Sequence, residues 1–144
     1  MNNKIWALRK FLIDENLLTK QELKQTKIEE ISIEQFHVDS LYDEFYVLTD
    51  KEADEKAKDY ILDTVWAFNP YFLECHTGID SEIFELLADK CESSNEAILS
   101  MIKDQDEFVK DAISSDGRGH FISCYDGNEH EINVDNEYFY IYQI

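Results

Sequence analysis

The sequence predicts an α+β fold in which an acidic helical cluster packs on a small antiparallel β-sheet, with an N-terminal helical arm. Residues 50–116 carry apolar side chains at helical spacings and are interrupted by helix-capping residues. The segments EFYVL (residues 44–48) and YFYIYQI (residues 138–144) are rich in aromatic and β-branched residues, which favour strands. Between them, residues 111–126, DAISSDGRGHFISCYD, contain a Gly-Arg-Gly triplet that predicts a sharp change of backbone direction.

The N-terminus differs from the rest of the chain in charge. Residues 1–27 carry a net charge of +3, whereas the remainder of the chain carries −22. This shift predicts an N-terminal helical arm or appended module over residues 1–40, followed by the acidic α+β domain over residues 41–144. Apolar residues at spacings of three and four predict an amphipathic helix from about residue 3 to residue 17. Residues 26–43 mix two periodicities and are left open as a weak strand or a connector.

Helix-capping residues predict where most helices begin. The side chains of Ser, Thr, Asp and Asn accept hydrogen bonds from the free N–H groups of a first helical turn, and a Glu three residues later can reciprocate. Asn69-Pro70 is such a start, because proline lacks an N–H that would have no partner there, and Gly78 suits the end of the same helix. The predicted helices are, in order, residues 20–25, residues 50–68, residues 70–76, a helix from Asp80 or Ser81, a helix from Ser94 or Asn95, and residues 106–114.

The C-terminal part is predicted to be extended. HFISCY at residues 120–125 has the composition of a strand, and Asp126-Gly127 after it is a hairpin-turn pair. We expect HFISCY to join EFYVL and YFYIYQI in the antiparallel sheet. The remaining predicted elements are a short strand at residues 131–134 and a second turn at Asp135-Asn136.

The composition restricts the class of partner. Thirteen Lys and Arg residues against 32 Asp and Glu residues give a net charge of −19. A charge of this sign repels nucleic acid and anionic lipid and favours basic protein surfaces. No apolar run approaches the roughly 18 residues of a membrane span, and the opening stretch MNNKIWALRKFLIDENLL lacks a signal-peptide pattern. We therefore expect a cytoplasmic protein that contacts neither nucleic acid directly nor a membrane.

No sequence motif indicates an enzyme. The chain lacks a phosphate-binding Walker loop, a dinucleotide-binding glycine pattern, a zinc-protease motif and a serine-hydrolase motif. A thiol nucleophile needs a nearby base, but His120 and Cys124 would lie about 13 Å apart on the predicted strand. The simpler interpretation places Cys124 in the core and pairs Arg118 with a carboxylate. A small enzyme or ligand-binding module that uses Asp116-Gly117-Arg118-Gly119-His120 remains an alternative.

The cysteines and histidines do not predict a metal site. Structural zinc needs four ligands that usually come from closely spaced pairs. Cys75-His76 is the only such pair, with Cys91 and His120 as remote partners, and neighbours in sequence point in different directions. We expect a buried cysteine, a histidine at a helix end, and neither metal nor cofactor. Three cysteines without a CxxC spacing fit reduced thiols.

The acidic helices predict a binding surface. Rows of carboxylates can imitate the phosphates of a duplex, which carries one charge per ~1.7 Å of helix axis. A small acidic protein without catalytic motifs is typical of an inhibitor that occupies a nucleic-acid-binding cleft. The predicted binding residues lie on the acidic helices and around the glycine loop: Asp50, Glu52, Glu55, Asp59, Asp63, Asp104, Asp106, Glu107, Asp116, Arg118 and His120.

Residues 44–144 resemble a family of small acidic proteins found in bacteriophages and prophages. The resemblance rests on FYVLTDKEADEKAKDYILDTVWAFN, KCESSNEAILSMI and FVKDAISSDGRGHFISCYDGNEHE, followed by the aromatic terminal strand. Its most distinctive stretches are Leu48-Thr49-Asp50, Trp66-Ala67-Phe68-Asn69 and the segment from Ser115 to Phe121. The resemblance implies a phage setting and no particular activity.

A phage setting favours an inhibitor of host defence, by analogy with other small acidic phage proteins. The leading hypothesis is a phage-encoded accessory protein of the anti-CRISPR or anti-restriction type, acting in the cytoplasm of the host bacterial cell. Its expected partner is a basic, nucleic-acid-binding host protein such as a CRISPR effector or a restriction enzyme. A further alternative is a structural or regulatory phage component that forms homo-oligomers through Trp6, Phe11 and the terminal strand.

Overall fold

The computed structural model describes residues 2–144 and confirms the α+β class. Within that range there are eight α-helices and five β-strands, with short 3₁₀ turns at Val65–Ala67 and Cys91–Ser94. The helices are α1 (Asn3–Asp14), α2 (Lys20–Gln25), α3 (Asp50–Asp63), α4 (Pro70–Thr77), α5 (Ser81–Ala88), α6 (Asn95–Met101), α7 (Gln105–Asp116) and α8 (Arg118–Ile122). The strands are β1 (Ile28–Glu30), β2 (Gln35–Val38), β3 (Asp43–Leu48), β4 (His130–Val134) and β5 (Glu137–Gln143).

Internal contacts divide the chain into two compact units. The sheet unit comprises the residues up to Lys56 together with Arg118–Ile144, and the helical unit comprises Ala57–Gly117. One division falls inside α3 and the other falls between α7 and α8. Both lie away from residue 40, where the composition suggested a boundary, because α1 and α2 contribute side chains to the core of the sheet unit.

The sheet is antiparallel throughout and has the strand order β1-β2-β3-β5-β4. The segment that the sequence left open, residues 26–43, contains the edge strand β1 and its neighbour β2. The turn predicted at Asp135-Asn136 joins β4 to β5. Both turn residues have positive φ, 52° and 65°, as a two-residue hairpin turn requires.

The core of the sheet unit lies between α1 and one face of the sheet. Helix α1 packs against β3, β4 and β5. The alternation of strand side chains sends Phe45, Val47, Phe139 and Ile141 to this face, where they are almost fully buried. The core also contains Ala7, Leu8, Phe11, Leu12, Leu18, Leu23, Phe36, Val38 and Ile132. Burial of large apolar side chains of this kind contributes roughly 1.5–3 kcal/mol each.

The helical unit is built from short helices with clear caps. The Asn69 side chain accepts a hydrogen bond from the Tyr71 N–H, and Gly78 ends α4 with a φ of 72°, so the predicted start and stop are confirmed. Asp80 and Asp104 cap α5 and α7 through their side chains. The buried apolar residues of the unit are Ile61, Val65, Leu73, Phe84, Ile98, Ile102, Phe108, Val109 and Ala112, together with Ala57.

The strand predicted at residues 120–125 was wrong, because Arg118–Ile122 form helix α8. Gly117, with a φ of 81°, ends α7, and the chain immediately turns into the next helix. Phe121 and Ile122 are adjacent in sequence and both buried, which the two-residue period of a half-buried strand would not allow. The segment therefore belongs to no strand, and the sheet contains β1 and β2 in addition to β3, β4 and β5, each of which was predicted as a strand.

Candidate functional site

The helical unit is the more acidic part of the molecule for its size. Residues 57–117 contain four basic and 14 acidic residues, a net charge of −10. In the described chain, only two of these carboxylates lie within ion-pair distance of a basic side chain of the unit: Asp106, 2.9 Å from Lys58 Nζ, and Asp111, 3.0 Å from His76 Nε2. The other twelve form no ion pair within the described residues, so the unit presents a strong negative field to solvent.

The predicted binding residues of the helical unit lie on two elements. Asp59 and Asp63 are four residues apart on α3, hence on one face of that helix, and both are exposed. Asp106 and Glu107 occupy the exposed first turn of α7, where the positive end of the helix dipole favours carboxylates. The Lys58–Asp106 ion pair joins the two elements.

Two of these positions combine exposure with a structural contact. The Asp104 side chain caps α7 by accepting a hydrogen bond from the Glu107 N–H at 3.1 Å. Asp106 is 85% exposed at its side chain even though it pairs with Lys58. Asp116, the last residue of α7, is exposed.

The sequence prediction did not single out the carboxylates of α5 and its surroundings. Glu82 and Glu85 are exposed on α5, and Asp89 follows at its C-terminal end. They occur in the stretch predicted as an acidic helical region, but no spacing distinguished them from the other acids.

Glu52 and Glu55, two predicted binding residues of the sheet unit, differ in their surroundings. The Glu52 carboxylate accepts hydrogen bonds from Lys4 Nζ at 2.7 Å and from the Thr49 N–H at 2.8 Å. Burial alone would raise the pKa of Glu52, but these hydrogen bonds outweigh it and hold the pKa below the usual value. Glu55 is exposed, 4.0 Å from Lys51 Nζ.

Arg118 is a buried side chain at the centre of a partly exposed polar cluster. Its Nη1 donates to Asp50 Oδ1 at 2.8 Å and to Asp54 Oδ1 at 3.0 Å, and its Nη2 donates to Glu129 Oε1. The guanidinium carbon lies 4.6 Å from the centre of the Tyr140 ring, a distance typical of a cation–π contact. Only 10% of the Arg118 side chain is exposed. The cluster therefore ties the start of α8 to the start of α3 and to the segment before β4.

Electrostatics keep Arg118 charged. Burial disfavours the guanidinium, but the hydrogen bonds to Glu129 and Asp50 outweigh burial and raise the pKa of Arg118. Tyr142 lies fully buried beside the cluster, and its hydroxyl makes no hydrogen bond of good geometry within residues 2–144. Burial, followed by the nearby Glu129 carboxylate, raises the pKa of Tyr142. The neutral phenol is therefore the form present at physiological pH.

His120 is separate from this cluster. It is exposed on α8, and its ring meets the Phe121 ring edge-on at 4.9 Å between centres. His120 is not among the residues that Arg118 contacts. The partners that sequence reasoning missed, Asp54 and Glu129, carried no signal of their own, since neither stands at a recognisable spacing from Arg118.

The part of the chain that the structure describes contains no group of three or more His, Cys, Asp or Glu side chains arranged to hold a metal ion. Cys75, Cys91 and Cys124 are all free and exposed. The expectation of buried cysteines was therefore wrong. For Cys124 the reason is that α8 ends at Ile122, which leaves Cys124 in the exposed turn that follows.

Two open grooves indent the sheet unit. One is lined by Asn3, Trp6 and Lys10, by Asn133 and Val134 at the end of β4, and by the turn residue Asp135. The other is lined by Lys4, Ile33, Glu52 and neighbours of these residues. Across the described residues, every helix is too short or too polar to traverse a bilayer.

Comparisons with known proteins give no relative from which a function could be transferred. No family model matches the chain, and searches of curated proteins and of solved structures find no significant match.

Proposed function

We propose that this protein is a phage-encoded acidic accessory protein that binds and inhibits a nucleic-acid-handling protein of the bacterial host. Carboxylates of its helical unit would occupy the positions at which the partner binds phosphates, in the manner of an anti-CRISPR or anti-restriction inhibitor. The observation that carries the proposal is the unit of 61 residues with a net charge of −10, in which twelve carboxylates have no neighbouring cation in the described structure.

The field of such a unit acts in two ways. At long range it steers a basic partner and raises the association rate, an effect that falls as salt screens the charges. At contact distance, carboxylates form bidentate hydrogen bonds with arginine, the same geometry that arginine uses with phosphate. A nucleic-acid-binding cleft supplies both the basic field and the arginines, which makes it the partner surface that fits best.

The setting of the proposal comes from the resemblance of residues 44–144 to small acidic phage proteins. A phage protein of this composition would act in the cytoplasm of the infected cell, where restriction enzymes and CRISPR effectors operate. The resemblance supports the class of partner, and the exposed carboxylates support the mode of binding.

The alternatives have less support. A ligand site at the glycine loop would need the guanidinium of Arg118, which the carboxylates of Asp50, Asp54 and Glu129 already engage. Self-assembly through Phe11 would need an exposed ring, whereas Phe11 is 2% exposed. Assembly through the terminal strand would need a free edge, whereas β5 pairs with β3 and β4.

The proposal is tested by capture from a nuclease-treated bacterial lysate. The immobilised protein is loaded at low salt, and bound proteins are eluted first with duplex DNA and then with high salt. We expect nucleic-acid-binding proteins to be retained and to leave with the duplex, because protein and duplex compete for one cleft. Retention that duplex DNA does not disturb, or a bound set without nucleic-acid-binding proteins, would contradict the proposal.

A further inference from the structure

Helix α5 presents apolar side chains to solvent. Its sequence, SEIFELLA, contains four large apolar residues, Ile83, Phe84, Leu86 and Leu87, and the apolar side chains of an amphipathic helix ordinarily face the core. Only Phe84 is buried, whereas Leu86 is 68% and Ile83 is 43% exposed. Ile83 and Leu86 stand three residues apart, so their side chains are neighbours on the outward face.

Carboxylates border this apolar pair. Glu82 and Glu85 are exposed on the same short helix, and Asp89 is exposed directly after it. No ion pair within residues 2–144 involves any of the three, since the helical unit has only the Lys58 and His76 pairs. The outward face of α5 therefore combines an exposed aliphatic centre with unpaired negative charge at its margin.

An apolar centre with charges at its margin is typical of a protein–protein interface, whereas imitation of a duplex requires only the charges. The centre of a protein interface is apolar and supplies most of the affinity, and its rim is polar and exposed to solvent. Carboxylates attract a basic partner, but a complex held by charge alone dissociates when salt screens the charges. An aliphatic contact at the centre slows dissociation without depending on salt.

We propose that the outward face of α5 is a docking site for a basic amphipathic helix of the partner protein. Apolar side chains of that helix would pack on Ile83 and Leu86, while its Lys or Arg residues would pair with Glu82, Glu85 and Asp89. The choice of occupant follows from charge complementarity. A second copy of this chain would bring a further charge of −19 and is disfavoured by repulsion. The inference rests on the proposed function and adds the part of the surface that holds the partner.

The test uses two synthetic peptides of equal composition. The first is an amphipathic helix of about 18 residues, five turns, with Leu on one face and Lys and Arg on the other. The second contains the same residues in an order without an apolar face. Binding of each labelled peptide to the full-length protein is followed by fluorescence anisotropy at about 50 mM and about 200 mM salt, a range over which electrostatic contacts weaken strongly.

The variant Leu86→Ser removes the aliphatic contact, and Ile33→Ser is the matched control. Ile33 is 70% exposed, at the β1–β2 connection of the sheet unit. We expect Leu86→Ser to weaken binding of the amphipathic peptide about tenfold at both salt concentrations, as loss of a central interface side chain does. We expect it to leave binding of the second peptide, which has no apolar face, unchanged. Ile33→Ser should bind both peptides as the wild type does.

The outcomes separate the inference from the proposed function. Equal affinity of wild type and Leu86→Ser for the amphipathic peptide would overturn the docking site, even if both peptides bound in a salt-dependent way as the proposed function requires. Sedimentation of the two proteins at several concentrations gives a second readout. Self-association of the wild type that Leu86→Ser abolishes would assign the face to a second copy of this chain and would also overturn the docking site.

Discussion

At the scale of single residues, Arg118 holds together parts of the chain that lie far apart in sequence. Its contacts with Asp50 and Asp54 span 68 and 64 residues, and its contact with Glu129 spans 11. The Asp50 and Asp54 side chains are 70% and 60% exposed, so water screens their pairing with Arg118. The Glu129 side chain is only 26% exposed, so its ion pair with Arg118 is the strongest of the three.

Arg118→Met is expected to destabilise the protein by about 2 kcal/mol, since it leaves Glu129 partly buried without its cation. The measurement is urea unfolding followed by circular dichroism. The matched control is Arg9→Met, which removes the only other arginine, a half-buried side chain that stacks on Trp6. A loss of stability that is equal in both variants would show that the Arg118 cluster has no special role.

Glu52 is a second residue whose charge is tied to the fold. Its pKa lies below 4.5, and Lys4, its partner, is 11% exposed at the side chain. A carboxylate with a depressed pKa contributes stability that is present above its unfolded pKa and is lost as pH falls through the folded value. Glu52→Gln removes that contribution and leaves the Lys4 ammonium without its carboxylate.

The expected result is a pH-dependent difference between wild type and Glu52→Gln. At pH 7 the variant should be less stable by about 2 kcal/mol, and the difference should shrink as pH falls below about 4.5. Unfolding at a series of pH values gives the difference directly. Glu30→Gln, an exposed glutamate with no ion pair in the described structure, is the control and should show no such trend. A difference that is constant with pH would contradict the assignment.

At the scale of elements, the close approach of α8 to the turn before β4 explains the Gly-Arg-Gly triplet. A Cβ at Gly119 would lie 2.4 Å from the Gly127 carbonyl oxygen and 2.8 Å from the Asn128 carbonyl carbon, both backbone atoms. At Gly117 a Cβ would meet nothing within 4 Å, but the φ of 81° disfavours any other residue. The two glycines are required for different reasons.

These reasons predict different costs for the same substitution. Gly119→Ala must displace backbone and is expected to destabilise the protein by about 3 kcal/mol. Gly117→Ala pays only for its backbone conformation, about 2 kcal/mol, because a φ of 81° with a ψ of 155° is adopted almost exclusively by glycine. Thermal unfolding of both variants compares them directly. If Gly117→Ala destabilised the protein more than Gly119→Ala, α8 would not pack closely on the turn before β4.

Local chemistry explains which elements the sequence could predict. Helix-capping residues predicted helix starts correctly, because their hydrogen bonds involve only near neighbours in sequence. Examples are Thr19 with Glu22 and Asn69 with Pro70. Helix α8 was missed because HFISCY has strand-like composition, and the tertiary contact of Gly119 decides its conformation. Strands β1 and β2 were left open because the pairing of β1 with β2 and of β2 with β3 is not visible in a local pattern.

The candidate site was predictable to a similar extent. The sequence indicated that Asp59, Asp63, Asp106 and Glu107 are exposed on helices, which the structure bears out. It could not indicate that Asp50 and Glu52 have internal partners, since those partners lie on distant segments. It also gave no reason to single out Leu86, because a leucine in an amphipathic pattern is ordinarily buried.

At the scale of the whole molecule, charge has opposing effects. A net charge of −19 destabilises the folded state through self-repulsion, yet the helical unit keeps twelve carboxylates without a cation. Salt bridges on the surface would have reduced the repulsion at little cost. We propose that the carboxylates of the helical unit serve to bind a basic partner.

Two triple variants with the same change of net charge separate this claim from charge in general. The first, Asp59→Asn with Asp63→Asn and Glu107→Gln, neutralises exposed carboxylates of the helical unit. The second, Asp14→Asn with Glu30→Gln and Asp135→Asn, neutralises exposed carboxylates of the sheet unit. None of the six has an ion-pair partner within the described residues, so the stability of both variants should equal or exceed that of the wild type.

The most direct measurement is the affinity of the wild type and both triple variants for a nucleic-acid-binding protein captured from the host lysate, as a function of salt. We predict that log Kd rises linearly with log salt for the wild type, and that only the helical-unit variant binds more weakly and with a shallower slope. Equal weakening by the sheet-unit variant, or no weakening by the helical-unit variant, would contradict the account.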